Sequence, residues 1–182
     1  SSFLLKSRAA VRNLAIGGMG LLLLVNVLEM CGTGFFHVNT NGMMQFDRFT
    51  LLFNSTAIFS TLLYLLLSAR DMEKVGVNYA EYFALIFFII CGILLTTSFT
   101  SLLILFLGIE IISIPLYILT GSDKRNLKSN EASLKYFLLG SFSTGLMLMG
   151  IALIYGGIGS FDTSNINIWA FNPPVLLVTG MV

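Results

Sequence analysis

Charge is scarce in this chain. Ten Lys or Arg and nine Asp or Glu make up 10% of its 182 residues, where soluble domains carry about 25%. The net charge of +1 excludes the basic footprint of a nucleic-acid binder. Histidine occurs once, at His37, which excludes a His cluster for zinc or haem. The two cysteines, Cys31 and Cys91, have neither CxxC nor metal spacing; they read as small apolar residues and imply no disulfide framework. There is no glycine-rich phosphate loop, no Ser/His/Asp set and no Cys/His site. The sequence therefore offers no chemistry that makes or breaks substrate bonds, and it holds neither a cofactor-binding nor a metal-binding motif.

What is present is apolar. The hydrophobic fraction is 56% and the mean hydropathy is +0.89, a balance that names lipid as the solvent. Apolar runs at about 14–30, 49–69, 82–97, 99–120 and 131–155 each suit a membrane-spanning helix, and a further run starts at about 175–182. The expected fold is an all-α integral membrane protein with five complete transmembrane helices plus the start of a sixth, all within one transmembrane region over 1–182. The sequence has no initial Met and stops inside its last apolar run, so the expectation is a fragment of a longer membrane protein. A cleaved leader at the start is the rival reading, but no A-x-A site follows the first run.

The connections carry the polar residues. The stretch 31–48 is rich in Gly, Asn and Thr and reads as an exposed loop or short hairpin, with His37 as a solvated side chain or, alternatively, part of a proton exit. Trp169, in the loop before Pro173 and Pro174, suits a membrane interface. Ser129 and Asn130 are candidate N-caps for the fifth helix, with Glu131 in its first turn. With five alternating spans, Lys6, Arg8, Arg12, Arg70, Lys74, Lys124, Arg125 and Lys128 share one side, and the other side holds Arg48 alone. This asymmetry places the basic side toward the cytoplasm or its organelle equivalent.

Two ionisable residues stand inside the apolar runs. The run 99–120, FTSLLILFLGIEIISIPLYILT, carries Glu110 near its middle. An acid at mid-bilayer costs on the order of 3 kcal/mol even on forgiving insertion scales. At about 100° per residue, Phe106, Ser113 and Tyr117 share its face, so Glu110, Ser113 and Tyr117 form a polar stripe able to hold water. Pro115 lacks an N–H and deprives the Ile111 carbonyl of its helical partner, which predicts a break or kink beside the acid. One reading of Glu110 is a carboxyl kept neutral by burial and held by an adjacent helix; the other is a proton carrier.

Lys135 is the candidate second group. It lies five residues after Asn130, about 7 Å into the membrane. Glu131 precedes it by one turn, so an interfacial i,i+4 ion pair competes with a role as partner to Glu110. The two residues differ in expected depth by about 8 Å, which requires water between them. Ser141 and Gly145 stand at small-xxx-small spacing and predict close helix approach there.

Residues 80–161 resemble a known family. The run LFLGIEIISIPLYIL, a short basic linker and EASLKYFLLGSFSTGLMLMGIALIYGGIGS look like the antiporter-like membrane subunits of respiratory complex I, the NADH:quinone oxidoreductase. Among these the run looks most like the subunit called N in bacteria, the counterpart of mitochondrial subunit 2. Glu110 and Lys135 stand 25 residues apart, the family's separation.

The resemblance implies a fragment of a fold of about fourteen helices built from inverted repeats, in a proton-translocating membrane arm. It implies that the carboxylate matching Glu110 works with a lysine on a later broken helix, beyond Val182, and that the lysine matching Lys135 joins the buried charged chain. NADH, FMN, iron–sulfur clusters and quinone are then expected on other subunits. The implied partners are other membrane-arm subunits and the lipid bilayer, with no nucleic acid. The implied location is the bacterial inner membrane, or otherwise the mitochondrial inner or an equivalent energy-transducing membrane. The alternative within the superfamily is a subunit of a multi-subunit Na⁺/H⁺ antiporter or of a membrane-bound hydrogenase. A third reading, a pure scaffold, predicts that Glu110 and Lys135 both tolerate neutral replacement.

Overall fold

The computed structural model describes residues 8–32, 42–67, 79–166 and 174–181. His37, Trp169, Lys6, Arg70 and Lys74 lie outside the described residues. The helices are α1 (Arg8–Met30), α2 (Arg48–Leu67), α3 (Tyr79–Thr97), α4 (Leu102–Thr120), α5 (Leu127–Ile158) and the short α6 (Val175–Met181). Five of them are long and apolar enough to cross a membrane. Among the described residues there is no β-strand, only two isolated bridges, and each helix packs on its neighbour in chain order. This is an all-α membrane fold.

Helix ends differ from expectation where polar residues continue a helix past its apolar run. α1 begins at Arg8 rather than near 14, because Ala9, Ala10 and Arg12 are good helix formers that extend it into the interface. α5 runs from Leu127 to Ile158 rather than over 131–155. Its N-cap is Asn126, whose side-chain oxygen accepts from the Lys128 N–H at 3.0 Å, not Ser129 or Asn130. Those two side chains are used elsewhere: the Ser129 hydroxyl donates to the Thr120 carbonyl at 2.7 Å and the Asn130 amide to the Lys124 carbonyl at 3.1 Å. Glu131 accordingly falls outside the first turn. Asn126→Ala is expected to cost about 1 kcal/mol, read as a lower thermal midpoint of the purified protein.

The most enclosed core lies away from Glu110, between α1, α2 and α3. There Val11, Ala15 and Met19 recur every fourth residue and meet Ile58, Leu65, Phe83 and Ile90. Elsewhere large apolar side chains point outward, as at Leu139, 72% exposed, and Phe142, 67% exposed. A watery surface would not carry such residues in number; a lipid surface or a further helix does.

α3 and α4 approach tightly at Gly92 and Gly108. A Cβ on Gly108 would lie 2.5 Å from Thr96 Cγ2 and 3.0 Å from the Thr96 backbone nitrogen. At the end of this hairpin the turn 98–101 is stitched to two other segments. The Gln45 N–H donates to the Ser98 carbonyl at 2.8 Å and the Thr100 N–H to the Met43 carbonyl at 3.1 Å. The Thr163 N–H donates to the Thr100 carbonyl, and the Leu102 N–H to the Phe161 carbonyl, each at 2.9 Å. The chain reaches Phe161 by reversing after α5 at Gly159, whose φ of +76° suits glycine. This knot fixes the start of α4 against the far end of α5.

Candidate functional site: the seam between α4 and α5

Glu110 stands mid-helix on α4, eight residues from Leu102 and ten from Thr120. Leu103, Glu110 and Tyr117 are seven residues apart and share one face. Tyr117 meets α5, and Leu103 lines a recess beside it. At the basic end, the Tyr117 ring packs edge-on to Tyr136 and Phe137, with centroids at 4.9 and 5.7 Å. It fits because Gly140 has no Cβ: one placed there would collide with the phenol. Beside it the Ser133 hydroxyl donates to the Tyr117 carbonyl at 3.0 Å. At the other end Leu103 and Leu107 share an open recess of about 470 Å³ with Tyr155, Gly159 and Asp162. Helical spacing therefore places Glu110 on the face of α4 that carries Tyr117, half-buried. Among the described residues it has no hydrogen-bond or ion-pair partner.

The structure redistributes the expected polar stripe. The Ser113 hydroxyl donates back to the Ile109 carbonyl of its own helix at 2.8 Å, so it is not turned toward Glu110. Tyr117 is buried in an aromatic clasp rather than heading a wet track. Pro115 is buried inside α4, and the helix runs unbroken from Leu102 to Thr120. Packing on both sides holds the turn that the missing N–H weakens, so no backbone break opens beside the acid.

Lys135 is not brought to Glu110. It pairs with Glu131 at 2.5 Å on the outside of α5, with side chains 74% and 59% exposed. Taking Ser133 as level with Tyr117, Lys135 stands about 8 Å short of Glu110 along the helix axis. It also lies on a different face from the residues that touch α4. An exposed i,i+4 pair contributes little to folding, so Lys135→Gln is expected to change stability by no more than about 0.5 kcal/mol. Thermal melts of the variant check this. Ser141 and Gly145 do not form the expected close approach: Ser141 is exposed, and nothing lies within 4 Å of a Cβ on Gly145. Gly92, Gly108, Gly140, Gly150 and Gly180 make the tight contacts instead. The spacing Gly92-x-x-x-Thr96 was the available signal, since small residues four apart mark membrane helix crossings. No group of His, Cys, Asp or Glu able to hold a metal exists among the described residues.

The family described as NADH:quinone oxidoreductase/Mrp antiporter, transmembrane, matches residues 98–178, a stretch that holds α4, α5 and the start of α6. The NADH-quinone oxidoreductase subunit N of Cytophaga hutchinsonii is 45% identical over 137 residues, covering 75% of this chain and 30% of that protein. Subunit N of Flavobacterium psychrophilum is 37% identical over 97% of this chain and 40% of its own length. Among solved structures, a chain of respiratory complex I from Thermus thermophilus superposes with a TM-score of 0.76 at 27% identity, covering 99% of this chain and 38% of that chain. A chain of the archaeal membrane-bound sulfane sulfur reductase superposes with a TM-score of 0.63 at 19% identity, which speaks for the fold alone. The chain spans between 30% and 40% of the length of the two curated relatives. Five membrane-crossing helices and these likenesses agree: this is a multi-pass membrane protein that belongs, over residues 98–178, to the NADH:quinone oxidoreductase/Mrp antiporter transmembrane family.

Proposed function

We propose that the chain is part of a proton-translocating membrane-arm subunit of NADH:quinone oxidoreductase in a bacterial inner membrane, with Glu110 as a proton-carrying group. The observation that carries this reading is the placement of Glu110: an acid at the middle of a 19-residue spanning helix, half-buried on the face that carries Tyr117. In this reading a lysine charge near the seam acts on the acid through space. Lys135 contributes through its field rather than by contact. At no less than about 8 Å its coupling to Glu110 is at most on the order of 2 kcal/mol, and the Glu131 pair cancels part of it. NADH, FMN, iron–sulfur clusters and quinone are assigned to other subunits, and the partners are other membrane-arm subunits.

A second reading follows from the matching family, whose description includes the Mrp antiporter: a subunit of a multi-subunit Na⁺/H⁺ antiporter or of a related hydrogenase. Membrane vesicles containing the full-length protein separate the two. Proton uptake driven by NADH and dependent on Glu110, with flavin and iron–sulfur subunits co-purifying, supports the oxidoreductase. Na⁺-driven proton exchange without NADH overturns it in favour of the antiporter.

A further inference from the structure

We infer that Thr144 on α5 is the positioning residue for the Glu110 carboxyl. The inference rests on the reading of Glu110 as a proton carrier and names the hydroxyl that faces it.

The antiparallel register at the Tyr117 end of the seam places Thr144. Ser133 bonds at Tyr117, and seven residues inward from that pair Glu110 meets the level of residue 140. The Tyr117 and Phe137 rings meet at 5.7 Å, and seven residues inward from that pair Glu110 meets the level of residue 144. Thr144 therefore lies within about one turn of Glu110 along the axis. The azimuth agrees: Thr144 follows Phe137 by seven residues and Gly140 by four, and both of these touch Tyr117. Ser141 and Ser143, the other hydroxyls at this depth, are turned away from Thr144 by about 60° and 100°. Burial supplies a separate observation. Between residues 141 and 146, Thr144 alone is half-buried and its five neighbours are exposed.

The hydroxyl is also chemically suited. It donates to the Ser141 carbonyl over a long 3.3 Å, and its oxygen remains an acceptor. A threonine hydroxyl can accept the O–H of a protonated carboxyl, directly or through one water. It can then rotate to donate to the carboxylate once the proton has left. Valine has the same shape and can do neither. Joined to this hydroxyl through one water, the acid keeps one orientation in both protonation states.

The test uses the assembled enzyme carrying the full-length chain in proteoliposomes, comparing wild type, Thr144→Val, Thr144→Ser and Glu110→Gln. The readouts are NADH-driven proton uptake and the infrared carboxyl stretch, assigned to Glu110 by its loss in Glu110→Gln. Thr144→Val is expected to raise the stretching frequency and lower proton uptake by about tenfold. Thr144→Ser is expected to restore both toward wild type, which a packing role for the γ-methyl would not do. A Thr144→Val enzyme with the band unmoved, or with uptake as in wild type, overturns the inference. Normal uptake in Glu110→Gln overturns the proton-carrier reading instead, and the band position still reports whether the two side chains touch.

Discussion

Replacing Glu110 by Gln is expected to lower NADH-driven proton uptake by about a hundredfold, the scale on which a positioned acid–base group contributes, with the complex still assembled. Gln matches Glu in shape and can hydrogen-bond, but it cannot release a proton. The half-buried site on α4 accommodates it without a new cavity, because no atom is lost. Glu110→Asp keeps the carboxyl and draws it back by one methylene, about 1.5 Å, so partial activity between Gln and wild type is expected. The three readings of this acid separate on two measurements. A proton carrier predicts lost uptake with little change in thermal midpoint. A static hydrogen-bonded carboxyl predicts normal uptake and a lower midpoint. A scaffold predicts neither change. Uptake in Glu110→Gln equal to wild type removes Glu110 from the mechanism.

Long apolar runs were legible in the sequence because each lipid-facing residue repeats the same message over a whole helix. The five spans stand where their hydropathy put them, and Glu110 keeps its mid-helix place on α4. The Glu131–Lys135 pair was legible too, since i,i+4 geometry depends on one helix alone. Features needing two helices were not. The polar stripe assumed that residues on the Glu110 face share its surroundings. A serine in a membrane helix can instead satisfy itself on its own backbone, as Ser113 does, and a tyrosine can follow a glycine notch on its neighbour, as Tyr117 follows Gly140. Pro115 shows the same limit: its missing N–H is local, but whether the helix breaks depends on the packing that surrounds it. Thr144 does not stand out in the sequence for the same reason. Nothing in α5 alone distinguishes it from Ser141, and only the register against α4 does.

Substituting Gly108 is expected to cost more stability than any change at the polar residues of the seam. A Cβ there would meet the Thr96 nitrogen at 3.0 Å and the Gly92 carbonyl oxygen at 3.1 Å, besides Thr96 Cγ2 at 2.5 Å. The first two are backbone atoms of α3 and cannot rotate aside, so the helices must separate. Gly92 has the reciprocal constraint, with Ile112 Cγ1 at 2.6 Å and the Gly108 oxygen at 2.9 Å. Overpacking of this kind costs about 1–3 kcal/mol, so Gly108→Ala is expected to lower the thermal midpoint clearly and Gly108→Leu to abolish recovery of folded protein. Gly145→Ala is the internal control. It also places a methyl on a spanning helix, but in open space, and helix propensity favours the change by up to about 1 kcal/mol. Equal melting temperatures for Gly108→Ala and Gly145→Ala would show that α3 and α4 do not cross at these glycines. The crossing also bears on function, because Gly108 lies two residues before Glu110 on α4. Forcing α3 away tilts α4 and moves the carboxyl relative to Thr144, so Gly108→Ala enzyme that still assembles is expected to show lower uptake and a displaced carboxyl band together.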